Sequence, residues 1–280
     1  MGEVSMRKGA GLVAGLIGLS LWAGAALADR AAQMEDLLGA IRIGETVEIM
    51  REEGLLYGES LAEDMMPEAD LGSWRNHMGR IYDTSKMRRL VAERLSAELE
   101  GVDLGPLAGF FTSDLGAEII ALELSAREAF LDREVEEAAK AQVEELESEE
   151  ARIMGQIEQL IADSDLIDLN VMGILNSNLM LYRGLADGGA YELSEEEMLV
   201  DVWSQEEGVR EDSTAWITAF LLTAYQPLDP EELDRYIAFW QTEEGRALNR
   251  ALFATFDSMY EEISYLVGQA VAQHLRSQKL

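Results

Sequence analysis

An all-α fold follows from three observations on the sequence. Proline is scarce, at 4 in 280 residues, while Ala, Leu, Glu and Met are plentiful. Apolar residues recur at three- and four-residue spacing along most of the chain, and the alternation of a half-buried strand is nowhere sustained. Ser, Thr and Asp stand repeatedly just ahead of these periodic stretches, often with acids in the turn that follows, which is how helices begin.

Residues 1–28 stand apart from the rest. Arg7 and Lys8 precede an apolar run from about Gly9 to Leu27, and Ala26-Leu27-Ala28 places small residues around a cleavage point. This is the layout of a secretory signal peptide, with cleavage expected after Ala28 and a start at Met1 or Met6. No later stretch is long and apolar enough to span a bilayer. The mature chain is therefore expected to be soluble, without a stable membrane span, and periplasmic.

From about Ala31 to Met66, Met34, Leu37, Ile41, Val47, Met50, Leu55, Leu61 and Met65 keep helical spacing. Gly44 and Gly54 are expected to interrupt or kink this stretch, and Pro67 to close it. A short helix surrounds Trp74. Asp83-Thr84-Ser85 caps a helix carrying Met87, Leu90, Val91, Leu95 and Leu99. Gly105-Pro106 leads into a Phe-Phe corner, and beyond it a long helical pattern runs from Ile119 to Leu146. The acids from Glu144 to Glu150 spread around that helix and read as a solvated face. A second series begins near Ile153, runs through Leu160, Leu166, Leu175 and Leu181, and is ended by Gly184 and Gly188-Gly189. Ser194 with Glu197 has the form of a capping box. Asp212-Ser213-Thr214 is expected to cap a helix carrying Trp216, Ile217, Phe220 and Tyr225. Asp229, Pro230 and Glu232 start the next. The last helix is the apolar stripe from Leu252 to Val271.

Two short stretches share one pattern: Phe, an aromatic, any residue, Ser or Thr, an acid, any residue, Gly. The first is Phe110-Phe111-Thr112-Ser113-Asp114-Leu115-Gly116 and the second is Phe239-Trp240-Gln241-Thr242-Glu243-Glu244-Gly245. The same offset carries Trp74 onto Trp203 and Asp83-Thr84-Ser85 onto Asp212-Ser213-Thr214. This predicts two duplicated helical units, 29–150 and 151–280, able to pack about a pseudo-two-fold axis. Within each corner Ser113 or Thr242 is the expected N-cap. Gly116 or Gly245 falls at the third helical position, where Gly costs about 1 kcal/mol against Ala. Close approach of another backbone or a ring explains that choice. Each copy resembles the domain-of-unknown-function family numbered 2059, found in exported bacterial proteins. The resemblance rests on Phe110, Phe111, Ser113 and Gly116, and on Phe239, Trp240, Thr242 and Gly245. It implies an all-helical exported domain and brings no catalytic residues.

The chain has 22 Lys and Arg against 54 Asp and Glu, a net charge of −32, which repels nucleic acid and anionic lipid. Cysteine is absent, which excludes disulfides, thiol catalysis and thiolate metal sites. His77 has no second His or acid at i+4, His274 lies in the C-terminal tail, and both read as surface or partly packed. Asp163, Asp165 and Asp168 do not make a calcium loop, because Asp168 and Ile174 stand where such a loop needs Gly and Glu. Gly58-Glu59-Ser60-Leu61-Ala62 lacks the strand that a nucleophile elbow needs. Trp74 and Trp203 are expected in the core. No metal or other cofactor is expected.

These readings point to an exported non-catalytic helical protein, a periplasmic interaction or envelope-maintenance module. Its partner would be an unidentified periplasmic protein or envelope component. Two alternatives stay open: a periplasmic hydrolase with acidic residues in the groove between the units, and a carrier for a small apolar ligand. Any ligand is expected between the units rather than at the corners.

Overall fold

The computed structural model describes residues 29–66, 71–148, 151–192 and 194–277. The leader read over 1–28, Pro67, and the Glu149-Glu150 end of the acidic run lie outside the described residues. Among the described residues every regular element is an α-helix and none is a strand. In the first half these are α1 (29–40), α2 (Ile43–Met65), α3 (Leu71–Ile81), α4 (Thr84–Glu98), α5 (Leu104–Phe111), α6 (Asp114–Ala129) and α7 (Arg133–Ser148). In the second they are α8 (Arg152–Asp163), α9 (Leu166–Asp187), α10 (Glu195–Ser204), α11 (Glu206–Tyr225), α12 (Pro230–Trp240) and α13 (Glu243–Ser277).

Several helices start where capping residues place them. Asp83 accepts from the Lys86 N–H at 2.9 Å, and Ser194 and Glu197 satisfy each other's backbone N–H groups. The Glu232 carboxylate accepts from the Asp229 N–H. Such caps are worth about 1 kcal/mol each. At the corners Ser113 Oγ accepts from the Gly116 N–H and Thr242 Oγ1 from the Gly245 N–H. The same hydroxyls donate back to the carbonyls of Phe110 and Phe239. A Cβ on Gly116 would lie 2.1 Å from the Phe110 carbonyl oxygen, and one on Gly245 2.2 Å from that of Phe239. The glycine therefore lets one helix begin against the last carbonyls of the helix before it.

Some boundaries differ from expectation, each for a local reason. Gly44 and Gly54 do not interrupt α2. The break falls at Arg42, in the left-handed region at φ 51°, ψ 41°, and the α8–α9 break repeats it at Asp165, φ 51°, ψ 32°. Gly54 and Gly58 instead notch one face of α2, into which Tyr82 and Met78 fit. Asp212-Ser213-Thr214 is not a cap, since all three lie inside α11. Thr214 turns its hydroxyl onto the Arg210 carbonyl, the back-bond that lets Thr sit within a helix. The pattern from Ile119 to Leu146 is two helices, parted at Phe130-Leu131-Asp132. Gly184 lies inside α9 rather than ending it.

Gly184 marks the closest helix contact in the second half. A Cβ there would lie 2.2 Å from the Tyr265 carbonyl oxygen, and one on Gly268 would lie 2.3 Å from that of Leu181. Gly188 meets Ala272 one turn further on, and Gly173 meets Asp257 further back. Both sets of numbers rise together, so α9 and α13 run parallel. One core continues from Met34 to Val271 across both halves. α11 packs on α6 and α7, while α13 runs along α3, α4 and α5.

Gly268→Ala and Gly245→Ala are each expected to cost about 2 kcal/mol or more, because a methyl group would meet backbone that cannot move aside. Gly155, in α8 and exposed, has nothing within 4 Å of its missing Cβ. Gly155→Ala should therefore stabilise by up to about 1 kcal/mol. Urea denaturation of the three variants checks both signs.

Candidate functional site

The structure brings the two corners onto each other. Phe110 stacks on Phe239 with ring centroids 4.1 Å apart and 17° between planes. Phe111 tilts against Trp240 at 6.4 Å, and its ring edge meets Phe239 at 5.2 Å. Residues that the sequence offset makes equivalent thus meet as pairs. Tyr236 extends the cluster over Phe110 at 5.9 Å. These rings bury apolar surface between the halves, and their stacked and edge-on geometries add about 0.5–1.5 kcal/mol per pair. Ser113, Gly116, Thr242 and Gly245 complete the turns that aim them.

Beside this cluster sits a carboxylate that sequence reasoning did not single out. Glu123 of α6 receives the hydroxyls of both Tyr225 and Tyr236, each 2.7 Å from Oε1. Burial pushes its carboxyl above the usual range, and the two O–H donors partly counter that shift. Burial, then the Glu123 charge, likewise raises both phenols. A hollow of about 210 Å³ opens next to them. Both tyrosines come from the second half, so this node also ties the halves together.

A groove of about 540 Å³ opens between the halves, away from the corner. α2 contributes Met50, Glu53 and Tyr57, and α6 contributes Arg127. α9 supplies Gly173, Ile174, Ser177 and Asn178; α11 supplies Trp216; α13 supplies Leu252, Phe253, Phe256, Asp257, Tyr260 and Ser264. The walls are mainly apolar and aromatic, with a few polar groups converging, the usual make-up of a small-molecule site. Within it Arg127 grips Glu53 with two bonds, Nε to Oε1 at 2.8 Å and a terminal nitrogen to Oε2 at 2.9 Å. Burial pulls the guanidinium down, but Glu53 and the neighbouring Tyr260 more than reverse this, so Arg127 stays charged. Asp257 differs. Burial first, and the Glu261 charge second, push its carboxyl up to about 6. A larger hollow of about 730 Å³ lies alongside, but its Lys140 is paired with Glu136.

Other expected positions are scattered. Trp74 is buried at 1% exposure and donates to the Gly58 carbonyl at 2.7 Å, so the Gly58–Ala62 stretch is ordinary helix. Trp203 is 53% exposed and is not a core residue: it lies on an outward face of α10 with Leu199 and Val200, also exposed. The two histidines, far apart in sequence, come together: His274 meets Trp74 edge-on at 5.3 Å and His77 at 6.4 Å. Burial, then Arg80 and His274, lower the His77 pKa. Among the described residues no three His, Asp or Glu side chains converge as a metal site. Comparisons with protein-family models, with curated proteins and with solved structures found no match.

Glu123→Ala strands two buried hydroxyls and should cost about 2–4 kcal/mol, whereas Glu123→Gln keeps an acceptor and should cost less than about 1 kcal/mol. Chemical denaturation distinguishes them. The Asp257 pKa is higher folded than unfolded, so its ionised form opposes folding above about pH 6, and this penalty fades as pH falls toward 3.8. Asp257→Asn should therefore raise stability near pH 8, on the order of 1 kcal/mol after allowing for partial solvent screening, and leave it unchanged near pH 4. Thermal melts at the two pH values test this.

Proposed function

We propose that the chain is an exported, non-catalytic helical protein of two related units that captures a small amphipathic molecule in the groove between them. The groove itself carries this reading. Its apolar walls come from both halves, and its polar groups are few and placed on rigid helices. Glu53 is held by Arg127, so the groove does not offer the two free carboxylates that a paired-acid hydrolase uses. The relatedness of the units is supported by the paired corners, by the left-handed breaks at Arg42 and Asp165, and by the meeting of Phe110 with Phe239. Resemblance of each corner to the 2059 family fits this arrangement. Export to the periplasm rests on the leader pattern alone.

A second reading, docking of a periplasmic protein or envelope component, draws on a different surface. On α10, Val200 is 67% exposed and Trp203 53%, with Leu199 beside them. Apolar side chains grouped this way favour a partner.

The neutral fluorescent probe N-phenylnaphthylamine should brighten on binding the wild-type chain. Ser177→Trp and Ser264→Trp, which fill the groove, should abolish this while circular dichroism stays helical. Val200→Ser with Trp203→Ser should leave it intact. No brightening with the wild type, or full brightening in the filled variants, overturns the groove reading.

A further inference from the structure

We infer that the groove selects a hydrophobic amine, its ammonium group seated on the Asp257 carboxylate and its apolar body along Ile174, Trp216 and Phe256. This deepens the groove-capture reading and rests on it. The two acids in the groove are in different states. Glu53 already has its counter-charge in Arg127, through two hydrogen bonds of near-ideal length. Asp257 has none: among the described residues no cation and no hydrogen-bond donor reaches its carboxylate, and the charge that bears on it is another acid, Glu261. A half-buried carboxylate left in this state costs stability unless something outside the fold completes it.

Room has been made for that carboxylate. Asp257 projects from α13 onto Gly173 of the parallel helix α9, where a Cβ would lie 2.5 Å from Oδ1. Any larger residue at Gly173 would push the acid aside, so the two positions work as a pair. The groove thus holds an acid that the packing accommodates and the rest of the protein does not neutralise.

Charge complementarity then decides the class of occupant. A carboxylate or phosphate ligand would find Arg127 engaged and Asp257 repelling it. An uncharged ligand would gain the apolar walls but leave Asp257 unpaired. An ammonium group gains an ion pair in partly desolvated surroundings, where charge-assisted hydrogen bonds are strong. Trp216 and Phe256, which also line the groove, are aromatic rings of the kind that attract cations. The overall charge of −32 draws cations toward the protein from a distance.

Three probes with one apolar body and different heads separate the possibilities: phenylbutylamine, phenylbutanol and phenylbutyrate. Each is titrated into the full chain by calorimetry near pH 8, where the amine is protonated and Asp257 ionised. The amine should bind roughly tenfold or more tighter than the alcohol, with the carboxylate weakest. Asp257→Asn should bring the amine to the level of the alcohol and leave the alcohol unchanged. Wild-type protein gives an independent readout: added salt should weaken the amine and not the alcohol. If the alcohol equals the amine, or neither salt nor Asp257→Asn affects the amine, the amine assignment falls and capture in the groove stands. If none of the three binds, both fall.

Discussion

The parallel contact of α9 with α13 fixes where most of the other helices can lie. Glycine at 184 and 268 brings the two backbones within reach of each other, closer than ordinary side chains permit. A contact of that kind fixes position along both helix axes, because sliding by one residue would set a side chain against a carbonyl. α13 is also the element that runs along α3, α4 and α5, so its position sets where the first half rests. Toward their N-terminal parts the same two helices carry Gly173 and Asp257 and, with Ser177 and Ser264, wall the groove. Tight packing at one level and an open hollow at another are therefore two parts of one helix pair.

The first half solves the corresponding problem differently. There the 35 residues that α13 spans as one helix are divided between α6 and α7, with the break at Phe130 to Asp132. The glycine notch of α2 is filled from α3, by Met78 and Tyr82, with Trp74 bonded to the same helix. The bidentate Arg127–Glu53 pair then links the end of α6 to α2. The two halves share junctions and corners but differ in the packing between them, and the groove lies where a helical wall from the second half faces an ion-paired wall from the first.

What could be read in the sequence follows from the range of the forces involved. Caps at Asp83, Ser113, Ser194, Asp229 and Thr242 act within one turn and were legible residue by residue. The corner glycines were legible too, since their reason is a carbonyl six residues back. Asp212 to Thr214 misled because the same residue types also occur inside a helix, where the Arg210 carbonyl takes the Thr214 hydroxyl. Gly184 misled because punctuation and close packing use the same residue, and only the partner Gly268 distinguishes them. Trp203 matches Trp74 by offset, yet one is exposed and the other buried, because burial is set by tertiary neighbours that a sequence offset does not fix. The groove was not legible in detail: its residues come from several helices, and Asp257, one of 54 acids, bears no local mark that sets it apart.

The stacking of Phe110 on Phe239 joins residues 129 positions apart, one at the end of α5 and the other at the end of α12. Neither half covers its own aromatic face, so each half completes the other. Either half made alone would leave those rings open to water and to other exposed apolar surfaces. Because one polypeptide carries both, the encounter is intramolecular and independent of concentration.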